Sequence, residues 1–207
     1  LWDFWGSDFG NDIITAIEQK LQSFPKRPVK VLIIGVGQGK SAYDLLRHFG
    51  ERISVYSTSL EDEIFNADEL LELIKKERFH TARNGKQERK GILDGSYTQE
   101  EEARRYVELI HSGFQPFDLH NVTLEKEPLP FAGNGEFDVV IIAQRTLQYI
   151  ENSFALLPEI RRILTRDGLL FTQWEGVKIE GLKLREFTQQ ISALPGWTVR
   201  ERISEDF

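Results

Sequence analysis

Between positions 31 and 41 the chain reads Val31-Leu32-Ile33-Ile34-Gly35-Val36-Gly37-Gln38-Gly39-Lys40-Ser41. Lys30 to Ile34 is a short apolar run rich in β-branched residues, the signature of a buried strand. Glycines follow at alternate positions. Lys40 to Phe49 then places Tyr43, Leu45, Leu46 and Phe49 inward at helical spacing, and Ile53 to Tyr56 reads as a second strand. Strand, glycine turn, helix and strand form one βαβ unit, which requires a parallel sheet and a right-handed crossover. Parallel sheets are covered on both faces, so the pattern predicts an α/β fold.

The glycine turn also restricts ligand chemistry. Without Cβ atoms the backbone takes unusual dihedrals and a ligand can lie against it. The helix behind it offers free N–H groups and a partial positive charge. One reading is a tight turn with no ligand. A dinucleotide fingerprint wants glycine at the sixth position, where Lys40 stands. A phosphate-binding P-loop wants four residues before Gly-Lys-Ser/Thr, whereas Val36, Gly37 and Gln38 supply three. The chain contains no methionine, and one further residue here would restore that spacing, so the P-loop reading stays open. It also needs a magnesium-binding acid at the end of a strand, and the strand 137–143 runs into Ile142-Ala143-Gln144 instead.

The rest of the chain extends the α/β pattern. Asn11 or Asp12 is positioned to cap a helix carrying Ile13, Ile14, Ile17 and Leu21, which Pro25 and Pro28 end. The charged region from Asp62 to Pro116 holds helical patterns at 63–79 and 98–112, separated by the turn-rich stretch Asn84 to Ser96. Strands are expected at Asn121–Leu124, Phe137–Ala143, Leu169–Trp174 and Trp197–Ile203, with helices at Phe154–Leu164 and Leu182–Leu194 and a turn at Asp167-Gly168. The expectation is a single domain over 1–207 with an open, doubly wound, mostly parallel sheet. It has an N-terminal aromatic segment and helix at 1–28 and a helical insertion at 62–117 after the second strand.

Composition excludes several functions. No cysteine is present, which removes disulfides, thiolate zinc sites and cysteine nucleophiles. The net charge of −7 argues against a general nucleic-acid binder. No apolar run reaches the roughly 18 residues needed to span a bilayer. The opening Leu1-Trp2-Asp3-Phe4-Trp5 lacks a basic n-region and a cleavage site, so a soluble cytoplasmic protein is expected, with no membrane partner.

The second half carries a family likeness. Leu129-Pro130-Phe131, Phe137-Asp138-Val139-Val140-Ile141, Leu147-Gln148-Tyr149-Ile150 and the run from Leu157 to Leu170 resemble, in order and spacing, class I S-adenosylmethionine-dependent methyltransferases. With the glycine turn, the resemblance covers 31–60 and 119–175. It implies a Rossmann-like methyltransferase fold and an S-adenosylmethionine site at the carboxyl ends of the first strands. It implies that Gly35, Gly37 and Gly39, with Gln38 between them, back the methionine part of the cofactor. Glu125 matches the acid that meets the adenine amino group, and Gln144 lies just past the fourth strand, facing the methyl-transfer region.

Two positions depart from the family pattern. Where the family carries a ribose-binding acid after the second strand, this chain has Ser57 in Tyr56-Ser57-Thr58-Ser59, with Glu61 the nearest acid. A hydroxyl lacks the charge-assisted strength of a carboxylate. Ile33 also stands where many members have an acid.

Methyl transfer asks little of side chains, because positioning the nucleophile in line with an activated methyl does most of the work. No general base is marked by the sequence, and no catalytic residue is assigned. His48, His80, His111 and His120 are scattered, with no metal-ligand spacing. No Asn/Asp-Pro-Pro-Tyr segment follows the fourth strand, so a small molecule or protein side chain is preferred to nucleic acid as acceptor. The basic stretch Lys75, Lys76, Arg78, Arg83, Lys86, Arg89 and Lys90 reads as a solvated surface or as contact with an anionic substrate. The aromatic N-terminus (Trp2, Phe4, Trp5, Phe9) either packs on the sheet edge or closes over the cleft. A methyltransferase, a non-catalytic binding or scaffold protein on the same fold, and a P-loop nucleotide hydrolase are the three functions carried forward.

Overall fold

The computed structural model describes residues 8–37, 39–58, 66–76, 100–115, 129–142, 146, 150, 153–172 and 184–199. Helix α1 (Asp8–Ser23) leads into β1 (Val29–Ile34), α2 (Lys40–Phe49), a 3-10 turn (Gly50–Arg52) and β2 (Ile53–Thr58). Helices α3 (Ala67–Lys76) and α4 (Glu100–Ser112) follow. Then come β3 (Phe137–Ile142), α5 (Ser153–Ile163), β4 (Leu164–Thr172) and α6 (Leu184–Ala193). The described strands form one all-parallel sheet in the order β2-β1-β3-β4.

Alternate residues of a strand point to opposite faces, and β1 divides accordingly. Val29, Val31 and Ile33 enter a core with α1, α2, α3 and α4, whereas Leu32 and Ile34 enter a second core with α5 and α6. Both faces of the sheet are therefore covered, and the fold is α/β and doubly wound. From the charged middle region, Leu70, Leu71, Ala103, Tyr106, Val107 and Ile110 reach the first core.

Three elements differ from the sequence expectation. Helix α1 begins at Asp8, so Asn11 and Asp12 lie within it rather than capping it. Phe9, four residues before Ile13, extends the apolar stripe by a turn and meets Phe171 edge-on at a centroid distance of 6.4 Å. Strand β4 begins at Leu164, not Leu169, and takes in the expected Asp167-Gly168 turn. Its register shifts there: Phe137 pairs with Leu164 and Val139 with Leu169, so Thr165 to Gly168 stand opposite Asp138 alone. An irregularity of this kind bends the strand without ending it, and Lys20 Nζ holds it by donating to the Asp167 carbonyl. Finally, residues 197–199 form no strand, while 200–203 and the expected strand Asn121–Leu124 lie outside the described residues.

Polar clasps fix the amino end of β3. Arg27 Nη1 and Nη2 donate to the two oxygens of buried Asp138 at 2.6 and 2.8 Å, and the Lys30 N–H adds a bond of 3.0 Å. Burial pushes the Asp138 carboxyl up, but these donors and the guanidinium charge outweigh it and hold the group below its ordinary range. Arg162 on α5 ties the loop before β3, donating to the Ala132 carbonyl at 3.0 Å and to Asn134 Oδ1 at 2.8 Å. These clasps stand at the end of the sheet opposite the glycine turn.

Candidate functional site

The chain leaves β1 toward β2 on one side and returns to β3 on the other. The carboxyl ends of β1 and β3 therefore border the crevice where open α/β sheets receive ligands. The glycine turn sits at this switch point. Gly35, Gly37 and Gly39 all have positive φ, at +77°, +52° and +84°. Main-chain groups within the turn are largely committed. The N–H groups of Gly35 and Val36 both donate to the Thr58 carbonyl at 3.0 Å, hooking the end of β2 onto the turn. The Gly39 N–H donates to the Val36 carbonyl, also at 3.0 Å. Val36 itself is buried in the first core. Helix α2 starts on Gly39 with no side-chain cap and no acid in its first turn, so no carboxylate there offsets its positive end.

The glycines are not equivalent. A Cβ placed on Gly35 would lie 2.0 Å from Thr146 Oγ1, 2.6 Å from its Cγ2 and 2.8 Å from its Cβ. Thr146, 7% exposed, already occupies that volume. A Cβ on Gly37 would meet nothing within 4 Å, and Gly37 is exposed. The bare backbone that a ligand can reach is thus at Gly37, while the bareness of Gly35 serves internal packing.

Ser57 joins this end of the sheet by pairing with Ile33. Its main chain also bridges outward: its N–H donates to the Gly113 carbonyl at 3.0 Å and its carbonyl accepts from Gln115 N at 2.8 Å. The hydroxyls of Ser57 and Thr58 are fully buried and have no hydrogen-bond partner among the described residues. Ser57 therefore presents no exposed hydroxyl to the crevice. Gln38, Glu61, Glu125 and Gln144 lie outside the described residues. Of the expected site residues, the structure brings Gly35, Gly37, Gly39 and Ser57 together. It adds Thr58 and Thr146. The sequence signal for Thr146 is slight: a small polar residue shortly after the strand that follows the switch point.

The other features singled out in the sequence stand apart from this site. His48 lies in the last turn of α2, with Nε2 4.0 Å from Glu18 Oε1 and its ring edge-on to Phe49. Burial lowers its pKa, Arg52 lowers it further, and Glu18 acts the other way. His111 is exposed on α4, and His80 and His120 lie outside the described residues. The basic stretch is described only at the backbone of Lys75 and Lys76, and Trp2, Phe4 and Trp5 are not described. A cleft of about 300 Å³ between α4 and the outer edge of β2 is lined by Leu46, Glu51, Ile53, Val55, Leu109 and Gly113, among others, and by no residue of the glycine turn. Among the described residues no group of three or more His, Asp or Glu could hold a metal ion. No described helix is long and apolar enough to cross a membrane.

Fold and topology together define an α/β protein with a parallel sheet whose switch point carries the glycine turn. No family model matches the chain, and no curated protein matches it. Among solved structures, a SAM-dependent methyltransferase from Aquifex aeolicus is similar at 14% identity, with a TM-score of 0.44 over 85% of this chain and 76% of that one.

Proposed function

We propose that this protein is an S-adenosylmethionine-dependent methyltransferase whose acceptor is a small molecule or a protein side chain. The observation that carries the reading is the open, left-handed Gly37 beside the uncapped start of α2, at the switch point of the sheet. That cradle fits the cofactor: a ligand can approach main chain there without meeting a Cβ, and the positive helix end suits a carboxylate. When bound, the cofactor supplies a methyl group already activated on a sulfonium. What the chain adds is rigidity and shape. The Thr58 carbonyl pins the turn through two N–H groups, and buried Val36 anchors it from below. A positioned nucleophile then needs little acid–base help. Glu125 toward adenine and Gln144 toward the methyl group belong to this reading through the family resemblance, while Glu61 takes the ribose role only by a geometry shifted from the family's.

One observation favours a non-catalytic binding protein on the same fold: the Ser57 hydroxyl, in the place of the family's ribose-binding acid, is enclosed. A P-loop hydrolase has less support. The acid of β3, Asp138, lies at the amino end of that strand and is committed to Arg27, while the carboxyl end is apolar Ile141-Ile142. Calorimetric titration with S-adenosylhomocysteine tests the proposal. Saturable binding is expected, and no heat at millimolar ligand overturns it.

A further inference from the structure

We infer that Thr146 is a specificity-determining residue of the proposed cofactor site, the wall that decides how the amino-acid end of the ligand lies along the glycine turn. The inference rests on the methyltransferase reading. Its basis is that the Thr146 side chain fills the volume over Gly35, with Oγ1 the nearest atom to where a Cβ would stand. The residue comes from across the switch point, after β3, whose Ile142 pairs with Ile34 immediately before Gly35. It is buried, so its contacts are made with protein rather than solvent.

Neither side of this contact yields easily. Gly35 is held by its N–H bond to the Thr58 carbonyl, and a β-branched side chain is stiff about χ1. Thr146 thus covers Gly35 and leaves Gly37 open, and the size of residue 146 sets how much of the turn a ligand can use. A ligand consisting of nucleoside alone has no chain to lay there, whereas one carrying an aminocarboxyalkyl chain does. Thr146 should thus separate the two.

The test is calorimetric titration of the wild type, Thr146→Ala and Thr146→Ser with S-adenosylhomocysteine and with adenosine, with thermal unfolding of each protein alongside. Thr146→Ala is expected to weaken S-adenosylhomocysteine about tenfold while adenosine changes by less than about twofold. Thr146→Ser keeps an oxygen over Gly35 and is expected to stay within about threefold of wild type for both ligands. Equal losses for the two ligands would show a purely structural residue and overturn the inference, as would no loss in Thr146→Ala. If Thr146→Ala does not fold, the serine variant decides: a loss of up to about threefold for S-adenosylhomocysteine with adenosine unchanged supports the inference, and equal changes for the two ligands overturn it. A wild type that fails to bind S-adenosylhomocysteine overturns the methyltransferase reading itself, and this inference with it.

Discussion

Alanine at Gly35 should be far more damaging than alanine at Gly37, although the two glycines are two residues apart in one turn. Both have positive φ, which costs an L-residue about 1–2 kcal/mol. At Gly37 that is the whole penalty, because the new methyl enters open space. At Gly35 the methyl would stand 2.0 Å from Thr146 Oγ1. Thr146 is buried and the turn is pinned, so the overlap must be relieved by distortion, typically about 1–3 kcal/mol for overpacking. The sum for Gly35→Ala is about 2–5 kcal/mol. At roughly 2–4 °C per kcal/mol for a chain of this size, the Tm falls by about 4–20 °C, against about 2–8 °C for Gly37→Ala. The overlap can be isolated. Thr146→Ala is not enough, because the Thr146 Cβ itself lies 2.8 Å from the added atom, so the partner must be glycine. In a double-mutant cycle of Gly35→Ala with Thr146→Gly, denaturant unfolding should give a favourable coupling of about 1–3 kcal/mol. Equal losses for the two alanine variants, or a strictly additive cycle, would refute the packing argument.

Two further predictions concern buried polar groups. The Asp138 carboxyl is held below its ordinary range, so its contribution to stability is complete above its unfolded pKa, about 3.9, and is lost as pH falls through the lower folded value. Wild type and Asp138→Asn should therefore converge in urea midpoint on acidification, and a gap that widens instead would sink the assignment. The second prediction concerns the hydroxyls of Ser57 and Thr58, buried without a partner among the described residues. Ser57→Ala and Thr58→Val should leave the Tm unchanged or raise it, since removing an unsatisfied hydroxyl relieves a penalty of about 1–3 kcal/mol. A clear drop in thermal unfolding for either variant would mean that the hydroxyl is bonded in solution.

Much of the sheet was legible because its signals are local. A six-residue apolar strand, a glycine turn and a helix with a strong apolar side cannot exchange roles, and α2 spans Lys40–Phe49 as its periodicity predicts. The start of α1 is obscured in the sequence because Phe9 packs against a core together with Phe171, more than half the chain away. The bend in β4 was equally hidden. Asp167-Gly168 is good turn chemistry, and only pairing with β3, with support from Lys20, keeps it inside a strand. The site shows the same division. The glycines announced a close approach of main chain to something, but sequence does not say to what.

Gly35 and Gly37 show why that distinction matters for reading such turns. A glycine is needed wherever φ is positive or a neighbour presses on Cα, and both causes leave the same letter in a sequence. Here the neighbour at Gly35 is a side chain of the protein itself, whereas Gly37 faces open space. A pattern of alternate glycines thus overstates the ligand surface. The residue that presses on the inner glycine comes from the chain after β3, across the switch point, so the two sides of the crevice are built as one unit. Changing Thr146 alters the turn, and changing Gly35 displaces the segment after β3. A function that depends on this crevice should therefore be more sensitive to exchanges at that one contact than to substitutions at more exposed positions around it.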